Sequence, residues 1–458
     1  MIRNNIMLLT DSYKISHYKQ YPPGTTQIYS YFESRGGKFP DVTFFGLQPI
    51  LKQYLEGTVV TTEKIDEAEK LYSKHFTVPK LFYRKGWEYI LEKHEGQLPV
   101  RIKAVAEGKS IPYSNVMMTI ENTDANCFWL TNFLETLLVQ VWYGSTVSTQ
   151  SRHIKKMILK FLAETGDTSL VDFKLHDFGF RGTSSVESAS IGAAGHLVNF
   201  KGTDTIAGLS FIQDFYNTND VAGVSIPAAE HSTITAWGRE HEADAYRNML
   251  QQYPEGLVAV VSDSYDIYNA CSAIWGKELK DEVLKRNGTL VIRPDSGNPV
   301  EVILKVMTIL GEQFGYNVNA KGYKVLNPKV RVIQGDGVNY ESIGDILLAM
   351  KKNKWSADNI AFGMGGALLQ KLDRDTQKFA FKCSCAIVDG EERAVYKDPV
   401  TDSGKRSKKG KLKLIFENGN YKTVNENDPG EDLLQTVFEN GKMTKQFSFD
   451  EVRKNAEL

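Results

Sequence analysis

The chain has 458 residues, of which 41% are hydrophobic and 24% charged, so it can build more than one ordinary core. Its 55 basic and 56 acidic residues leave a formal net charge of −1, which argues against a general binder of nucleic acid or of membrane surfaces. We expect a cytoplasmic protein with no membrane partner, since no signal peptide opens the chain and no apolar run approaches ~20 residues.

The first 130 residues mix possible strands with helical pieces. Residues 27–32 and 100–105 have the β-branched and aromatic content that favours strands. No helical repeat organises this segment, so it differs in character from the middle of the chain.

Two polar clusters follow. In residues 175–182, Arg181 can clamp an anion and Phe178 can offer a stacking face to a flat ring. A strand end with core aromatics and a surface arginine explains these residues as well.

In residues 228–233, His231 precedes a predicted helix whose first amides can stabilise an anion on the ring, and Glu230 is its neighbour. A lone histidine in such a place is more often structural than catalytic.

The middle of the chain contains four apolar runs that each end in a polar cluster, at residues 258–261, 290–292, 330–333 and 360–362. Apolar residues at i, i+3, i+4 and i+7 follow the first three runs, as in helices that lie against a sheet. These residues are Ile267, Ala270, Cys271 and Ile274; Val300, Ile303, Leu304 and Met307; and Ile343, Ile346, Leu347 and Met350. Such a repeat predicts an α/β barrel or a doubly wound sheet, with its chemistry at the carboxyl ends of the strands.

The loops after these runs carry carboxylates and glycines. Asp295 and Asp336 each follow a run, and several such loops on one edge favour a site for Mg²⁺ or sugar hydroxyls. The loop with Asp263 is expected to support the pocket without a firm ligand role. For any single loop, turn and helix-cap chemistry explains the residues equally well. Gly365 and Gly366 follow the last run, and their amides can cradle a phosphate.

After Leu372 the chain returns to short strands, at residues 379–388 and 412–417, and to a basic loop at 405–411. We therefore predict an α/β protein with two domains. Residues 161–375 form an irregular (β/α) barrel, and residues 1–160 together with 376–458 form a second, β-rich α+β domain.

Seven motifs, occurring in the same order, resemble the nicotinamide phosphoribosyltransferase family and cover nearly the whole chain. They are residues 10–14, 176–182, 201–205, 228–233, 293–298, 334–337 and 405–410. The resemblance implies transfer of a phosphoribosyl group from phosphoribosyl pyrophosphate to nicotinamide, giving nicotinamide mononucleotide and pyrophosphate in NAD salvage. It also implies Mg²⁺ as cofactor, ATP hydrolysis coupled through a phosphohistidine, and an obligate homodimer with active sites at the subunit interface.

The resemblance also implies roles for single residues. Phe178 and, from the partner subunit, Tyr13 would sandwich the pyridine ring, while Asp204 would accept from the carboxamide and repel a carboxylate. Catalytic roles fall to His231, as the phosphorylated histidine, and to Glu230, Arg293 and Asp295. Arg293 would also line the nicotinamide pocket. The residues expected at the phosphoribosyl and diphosphate groups are Arg35, Arg181, His231, Asp295, Gly335, Asp336, Gly365, Gly366, Arg374, Lys382 and Lys397, with Lys405 nearby. Asp295 and Asp336 would hold the metal, partly through water.

Two departures from the family pattern concern the pocket. Met364 is expected to crowd the phosphate loop, and Phe180 stands where a tyrosine is common. Two alternative functions stay open. A related enzyme would act on nicotinate, although Asp204 argues against a carboxylate substrate. A non-catalytic, ligand-binding protein could share the same fold.

Overall fold

The computed structural model of the chain describes residues 4–218, 220–398, 401 and 407–458. The chain divides into two compact units. The first, which we call the flanking unit, contains Met1–Thr149, Ile212–Thr218 and Asp373–Glu457. The second, the barrel unit, contains Gln150–Phe211 and Asn219–Leu372. The boundaries between the units, at 149/150 and 372/373, differ from the predicted domain boundaries at 160/161 and 375/376. The segment Ile212–Thr218 also belongs to the flanking unit, which the sequence pattern does not indicate. Lys405 lies outside the described residues.

The strands of the described residues are β1 (Thr25–Ser34), β2 (Asp41–Thr43), β3 (Val100–Ala104), β4 (Ser110–Pro112), β5 (Val116–Asn122), β6 (Leu175–Asp177), β7 (Gly202–Thr203), β8 (Glu255–Val261), β9 (Asn287–Arg293), β10 (Tyr316–Val318), β11 (Lys324–Leu326), β12 (Val330–Gln334), β13 (Ile360–Met364), β14 (Phe379–Val388), β15 (Glu391–Ala394), β16 (Leu412–Glu417), β17 (Asn420–Asn425), β18 (Gln435–Glu439) and β19 (Lys442–Met443).

The α-helices are α1 (Leu47–Ile50), α2 (Thr62–His75), α3 (Arg84–Lys93), α4 (Leu130–Phe133), α5 (Glu135–Leu138), α6 (Val141–Thr165), α7 (Val186–Leu197), α8 (Ile206–Phe215), α9 (His231–Thr235), α10 (Glu242–Gln252), α11 (Ile267–Asn269), α12 (Lys280–Lys285), α13 (Pro299–Phe314), α14 (Tyr340–Lys352), α15 (Gly366–Leu369) and α16 (Phe449–Asn455). Shorter 3-10 turns link them, and Leu51–Leu55 and Ala270–Glu278 are π-helical. No helix among the described residues combines the length and apolar character needed to cross a membrane.

The flanking unit is built on a seven-stranded antiparallel sheet with the strand order β15-β14-β1-β5-β3-β18-β19. Strands β1, β3 and β5 come from the N-terminal segment, and the other four come from the C-terminal segment. The prediction of one β-rich domain built from both ends of the chain is therefore confirmed. The turn after residue 417 connects β16 and β17, with Asn418 and Gly419 both at positive φ.

The barrel unit contains a six-stranded parallel sheet with the order β7-β6-β13-β12-β9-β8. The four predicted apolar runs lie in β8, β9, β12 and β13. An irregular segment closes the sheet, because Val224 pairs with Gly202 of β7 and Ala228 pairs with Ala259 of β8. The backbone N–H of Ala259 donates to the Pro227 carbonyl at 2.9 Å. This closure confirms the predicted irregular barrel.

The interior of the barrel is filled by small and branched side chains. Ala259, Val291 and Ile333 are buried there, one from each of three strands, and Phe178, Ile226 and Ala361 pack against them. Strand side chains alternate between the two faces of a sheet, so these residues point inward while their neighbours contact the helices. These packed side chains form the floor beneath the carboxyl ends of the strands.

Two of the three predicted apolar stripes match the buried helix faces. Ile343, Ile346, Leu347 and Met350 are all buried on α14, and Ile267, Ala270, Cys271 and Ile274 are buried across α11 and the π-helical turn after it. On α13 the buried face is displaced, because Val300 and Leu304 are only half-buried whereas Val302, Val306 and Leu310 are buried. Asn298 caps the start of α13, because its side-chain oxygen accepts hydrogen bonds from the backbone N–H groups of Val300 and Glu301, and Pro299 begins the helix.

Candidate active site

A cavity of ≈ 660 Å³ lies at the carboxyl ends of the barrel strands. The loops after β6, β7, β9, β12 and β13 form its walls, as expected where parallel strands end at one edge. The lining residues are Phe178, Phe180, Arg181, Gly182, Asp204, Thr205, Ala228, Ala229, Glu230, Arg293, Asp295, Gly335, Asp336, Gly337, Val338, Asn339, Gly365, Gly366, Ala367 and Lys371. The cavity thus brings together every barrel-unit residue expected at the site except His231.

Phe178 lies at the end of β6, with its ring against the backbone of the neighbouring strand. Its N–H donates to the Met364 carbonyl at 3.0 Å. A Cβ atom at Gly363 would come within 2.0 Å of the Phe178 ring, so only glycine leaves room for the ring at this position. The half-buried ring presents one part to the barrel interior and another to the cavity.

Asp204 follows β7 and forms the wall beside Phe178. Its backbone N–H donates to the Asp177 carbonyl at 3.0 Å. One carboxylate oxygen, Oδ1, accepts a hydrogen bond from the Ser225 hydroxyl. Ser225 belongs to the irregular segment that closes the barrel, so closure and the position of this carboxylate depend on the same residues. Ser225 was not among the residues the sequence pattern singled out.

His231 begins α9, and its ring lies among carboxylates. Nε2 is 3.0 Å from Oδ1 of Asp263, and Nδ1 is 3.9 Å from Oδ2 of Asp295. The second Asp263 oxygen accepts from the Asp295 backbone N–H at 3.2 Å and from the Ser296 hydroxyl. Asp263 therefore ties the histidine to the loop after β9, and its side chain is only 4% exposed. The position of Asp263 after an apolar run was a visible signal, but its partners were not. The Glu230 carboxylate accepts from the Ser232 hydroxyl.

Asp295 is a carboxylate of the cavity whose pKa is raised by its surroundings. Burial raises its pKa most, Arg293 lowers it and Asp263 raises it. His231 lowers the pKa and Asp336 raises it by smaller amounts. Nη2 of Arg293 is 4.0 Å from Oδ2 of Asp295, and Nε of Arg293 is buried without a hydrogen-bond partner among the described residues. A cation among these carboxylates would relieve their repulsion, so the donor set fits Mg²⁺, which prefers carboxylate oxygens.

The loops after β12 and β13 bring glycine backbone to the cavity. A Cβ atom at Gly335 would lie 3.0 Å from Oδ1 of Asp295, and one at Gly366 would meet open space. Lys371 lines the same end of the cavity, and its N–H donates to the Gly366 carbonyl at 2.8 Å. The sequence pattern did not indicate Lys371. Met364 is buried and does not line the cavity.

The flanking unit has a second cavity, also of ≈ 660 Å³. Its lining residues are Asp11, Tyr13, Arg35, Glu135, Thr136, Val139, Arg374, Asp375, Lys378, Phe379, Ala380, Phe381, Lys382 and Lys397. The four cations expected at the diphosphate therefore lie around one space with Tyr13, whose side chain is exposed. Residues separated by more than 300 positions meet here because β1 and β14 are neighbours in the sheet.

The charges of this second cavity repel one another. Burial lowers the pKa of Lys382, Glu135 raises it, and Arg35, Arg374 and Lys397 lower it further. Nε of Arg35 donates to Glu33 at 3.1 Å, but its Nη2 atom is buried with no hydrogen-bond partner in the described part of the chain. A cluster of cations with an unsatisfied buried donor is suited to an anion such as a phosphate or diphosphate.

A separate cluster of metal-binding residue types lies in the flanking unit. Donor atoms of His94, Asp124 and Cys127 lie within 4.8 Å of one another. Asp124 accepts from His94 at 2.8 Å, from Tyr89 at 3.0 Å and from the Asn126 N–H at 2.8 Å. Burial raises the pKa of the Cys127 thiol to about 12. Because the carboxylate is already used as a helix cap and the thiol is kept protonated, these residues are explained by packing.

Family models match both ends of the chain. Residues 173–442 match the nicotinate phosphoribosyltransferase (NAPRTase) family, and residues 5–102 match the nicotinamide phosphoribosyltransferase N-terminal domain. A nicotinamide phosphoribosyltransferase of Xanthomonas campestris pv. campestris is 52% identical, over 99% of this chain and 98% of the relative. The protein of the same name from Acinetobacter baylyi is 32% identical, over 98% and 97%.

Two solved structures share the fold. A nicotinate-nucleotide pyrophosphorylase from Pyrococcus furiosus has a TM-score of 0.64 at 17% identity, covering 100% of this chain and 96% of its own. The human nicotinic acid phosphoribosyltransferase has a TM-score of 0.54 at 15% identity, covering 98% and 93%. At such low identity the likeness concerns the fold alone.

Proposed function

The chain belongs to the nicotinamide phosphoribosyltransferases of the nicotinate phosphoribosyltransferase family, and from this membership we propose how it transfers a phosphoribosyl group to nicotinamide in NAD salvage. The substrates are nicotinamide and phosphoribosyl pyrophosphate, and the products are nicotinamide mononucleotide and pyrophosphate. The observation that carries the proposal is the barrel cavity, in which an aromatic ring, a carboxylate beside it and the acidic loops after β9 and β12 line one space.

Nicotinamide binds at the Phe178 end of this cavity. The pyridine ring stacks on Phe178, and the carboxamide NH₂ donates to Asp204. The Ser225 hydroxyl holds Oδ1 of Asp204, which leaves Oδ2 to accept from the substrate. A nicotinate carboxylate would meet the Asp204 carboxylate without a proton between them, so the site disfavours the acid.

The sugar and its phosphates bind at the other end. Asp295 and Asp336 accept from the ribose hydroxyls, Arg293 and Arg181 contact anionic oxygens, and the amides of Gly365 and Gly366 hold the 5′-phosphate. Asp295 and Asp336 would hold Mg²⁺, partly through water, and the bound ion would neutralise charge on the sugar diphosphate. Burial raises the pKa of Asp295, and the neighbouring carboxylates of Asp263 and Asp336 raise it further, so a cation at this position would be favoured.

The active form is a homodimer in which the cationic cavity of one flanking unit receives the diphosphate bound to the partner. Arg35, Arg374, Lys382 and Lys397 surround that cavity together with Tyr13. As the bond between C1 and the diphosphate oxygen breaks, positive charge develops on the sugar and negative charge on the leaving group. Cations that bind the leaving group more tightly in the transition state than in the substrate accelerate this step.

The pyridine nitrogen already carries a lone pair, so no general base is needed to form the bond to C1. Alignment of the ring with the sugar supplies much of the remaining acceleration. Phe178 and Asp204 serve this alignment, because one fixes the ring plane and the other fixes rotation within that plane.

ATP acts through phosphorylation of His231. The hydrogen bond to Asp263 assigns the proton to Nε2, which leaves the lone pair on Nδ1 to attack the γ-phosphorus and release ADP. The new phosphoryl oxygens lie beside Asp295 and strengthen binding of the sugar diphosphate with its metal. Glu230, hydrogen-bonded to Ser232 at the start of α9, keeps the adjacent backbone in place.

The direct test is mass detection of the mononucleotide formed by the purified protein, nicotinamide mononucleotide from nicotinamide and nicotinate mononucleotide from nicotinate, each with and without ATP. We expect synthesis from the amide, a clear preference over the acid, and stimulation by ATP. Preference for nicotinate would favour the related enzyme, and absence of pyrophosphate release would favour a ligand-binding protein.

Replacing His231 with alanine tests the ATP coupling. The variant should keep basal synthesis but lose stimulation by ATP, because no ring nitrogen can accept the phosphoryl group. The control is His241→Ala, which removes an exposed histidine of the same unit. Stimulation at the wild-type level in His231→Ala would show that the coupling does not use this residue.

Mixed dimers test the shared site. Tyr13→Ala and Phe178→Ala should each be nearly inactive as homodimers. Random mixing of the two should restore roughly a quarter of wild-type activity, since half of the dimers then contain one intact site. No recovery would mean that both residues act within one subunit.

A further inference from the structure

Asp177 is a buried carboxylate between the two residues proposed to recognise nicotinamide. It ends β6, directly before Phe178, and pairs with Thr203 of β7, directly before Asp204. Its exposed fraction is 0%. An ionised group in such a place is costly unless hydrogen bonds hold it, so its presence needs a reason beyond packing.

Each oxygen of this carboxylate accepts a hydrogen bond from a different segment of the chain. Oδ1 accepts from the Gly179 N–H at 2.7 Å, immediately after Phe178. Oδ2 accepts from the Thr203 hydroxyl at 3.1 Å, and the Thr203 oxygen in turn accepts from the Thr205 N–H at 3.0 Å. The Asp177 side chain therefore fixes the backbone that flanks Phe178, through Gly179. Through Thr203, which is bonded to Thr205, it also fixes the residues that flank Asp204.

The backbone of the same residue adds a third link, since the Asp177 carbonyl accepts from the Asp204 N–H at 3.0 Å. Burial raises the pKa of Asp177, and the hydrogen bond from Gly179 opposes this shift. The loop after β6 has little freedom to adjust by itself, because a Cβ atom at Gly179 would come within 2.6 Å of Leu369. The relative position of the ring and the carboxylate is thus set by bonds that meet at Asp177.

We propose that Asp177 is a positioning residue that sets the spacing between the stacking ring of Phe178 and the carboxamide acceptor of Asp204. The proposal rests on the proposed function, and it adds that selectivity for an amide depends on a side chain that does not touch the substrate. Asp177 is not a lining residue of the cavity, so its effect must pass through Phe178 and Asp204.

The test compares Asp177→Ala and Asp177→Asn with the wild type as intact protein, measuring KM for each substrate separately. In Asp177→Ala, KM for nicotinamide should rise about tenfold or more, and the preference for amide over acid should fall, because misplacement of about 1 Å is enough for such losses. KM for phosphoribosyl pyrophosphate should stay within about twofold. In Asp177→Asn the effect should be smaller, since the amide oxygen can still accept from Gly179.

Thr203→Val is the second variant, which removes the hydroxyl link and leaves the Gly179 bond in place. It should reproduce part of the change in nicotinamide KM, and it keeps the proposal testable if Asp177→Ala does not fold. Asp172→Asn is the matched control, because it alters a carboxylate before β6 that is bonded to Lys155 and Lys201 instead of to the site. Melting midpoints of all variants identify losses that come from unfolding.

Equal rises in both KM values, or unchanged nicotinamide KM and selectivity in Asp177→Ala and Thr203→Val, would overturn the positioning role. A wild-type protein that forms no nicotinamide mononucleotide would overturn the proposed function itself, and the positioning role with it. An active wild type with unaffected variants would overturn the positioning role alone.

Discussion

The barrel cavity and the flanking cavity have the same volume, ≈ 660 Å³, but a different balance of charged lining residues: four carboxylates and three cations in the first, three carboxylates and five cations in the second. The first gathers Asp204, Asp295 and Asp336 around an aromatic floor, and burial together with neighbouring carboxylates raises the pKa of Asp295. The second gathers arginines and lysines, and burial together with neighbouring cations lowers the pKa of Lys382. Each set of like charges is destabilised until a partner of opposite sign binds.

This contrast matches the charges of the proposed reaction. The group to be transferred becomes positive at C1, whereas the leaving group becomes more negative. Because the acidic cluster and the cationic cluster belong to different units, the carboxylates and the cations do not pair with each other within one loop. The net charge of −1 does not indicate this separation, because it is a sum over the whole chain.

The largest expected effect comes from the acidic cavity. Asp295→Asn should lower kcat/KM for phosphoribosyl pyrophosphate about 10²–10³-fold. The substitution removes a negative charge that would stabilise both the positive charge developing at the sugar C1 and the bound metal ion. KM for nicotinamide should change little. Steady-state kinetics with each substrate varied check this, with Asp345→Asn on the exposed face of α14 as control. A change confined to nicotinamide KM would break the assignment of this end of the cavity to the sugar.

A smaller effect is expected from the cationic cavity. Lys382→Met keeps the length and apolar stem of the side chain but removes the charge, so KM for phosphoribosyl pyrophosphate should rise roughly 10–100-fold, the value of a hydrogen bond to a charged group. Nicotinamide KM and the amide preference should be unchanged. Lys422→Met, on exposed strand β17, controls for loss of a lysine in the same unit. An effect of equal size in the control would show that net charge, and not this cavity, is responsible.

The smallest effect on activity is expected from Lys174, a buried lysine of the barrel unit that lines neither cavity. Its Nζ donates to the carbonyls of Ala357, Asp358 and Ile360 at 3.0, 3.0 and 2.8 Å. Burial lowers its pKa to about 7, so between about pH 7 and the ordinary lysine pKa the unfolded chain holds a proton that the folded chain lacks. Stability should therefore rise with pH in that window.

Urea unfolding of the wild type and of Lys174→Met at several pH values checks this sign. The difference in unfolding free energy between the two should grow in favour of the wild type by up to about 1.4 kcal/mol per pH unit above pH 7. Lys201→Met, which removes an exposed lysine paired with Asp172, should leave that slope in place. Absence of a slope in this window would mean that Lys174 stays charged in the folded protein because its three carbonyl partners replace water.

Local pattern was sufficient to locate the strands that carry the site. The apolar runs in β8, β9, β12 and β13 and the polar residues after them could be read directly, because strand burial and turn chemistry act over a few residues. The displaced stripe of α13 shows the limit of this approach. Val300, Val302, Ile303 and Val306 are all apolar, and only packing against the sheet decides which of them face inward.

Local sequence specifies the strand-end loops and the residue types at the site, and its motifs indicate the family to which the chain belongs. Which of these residues meet depends on the folded arrangement of the strands. Closure of the barrel at Val224 and Ala228 has no strand periodicity, and the Asp177 bond to Thr203 and the Asp263 bond to His231 span 26 and 32 positions. Such contacts form only when the whole sheet curls. Burial of neighbouring strands then sets their geometry, which no local propensity specifies.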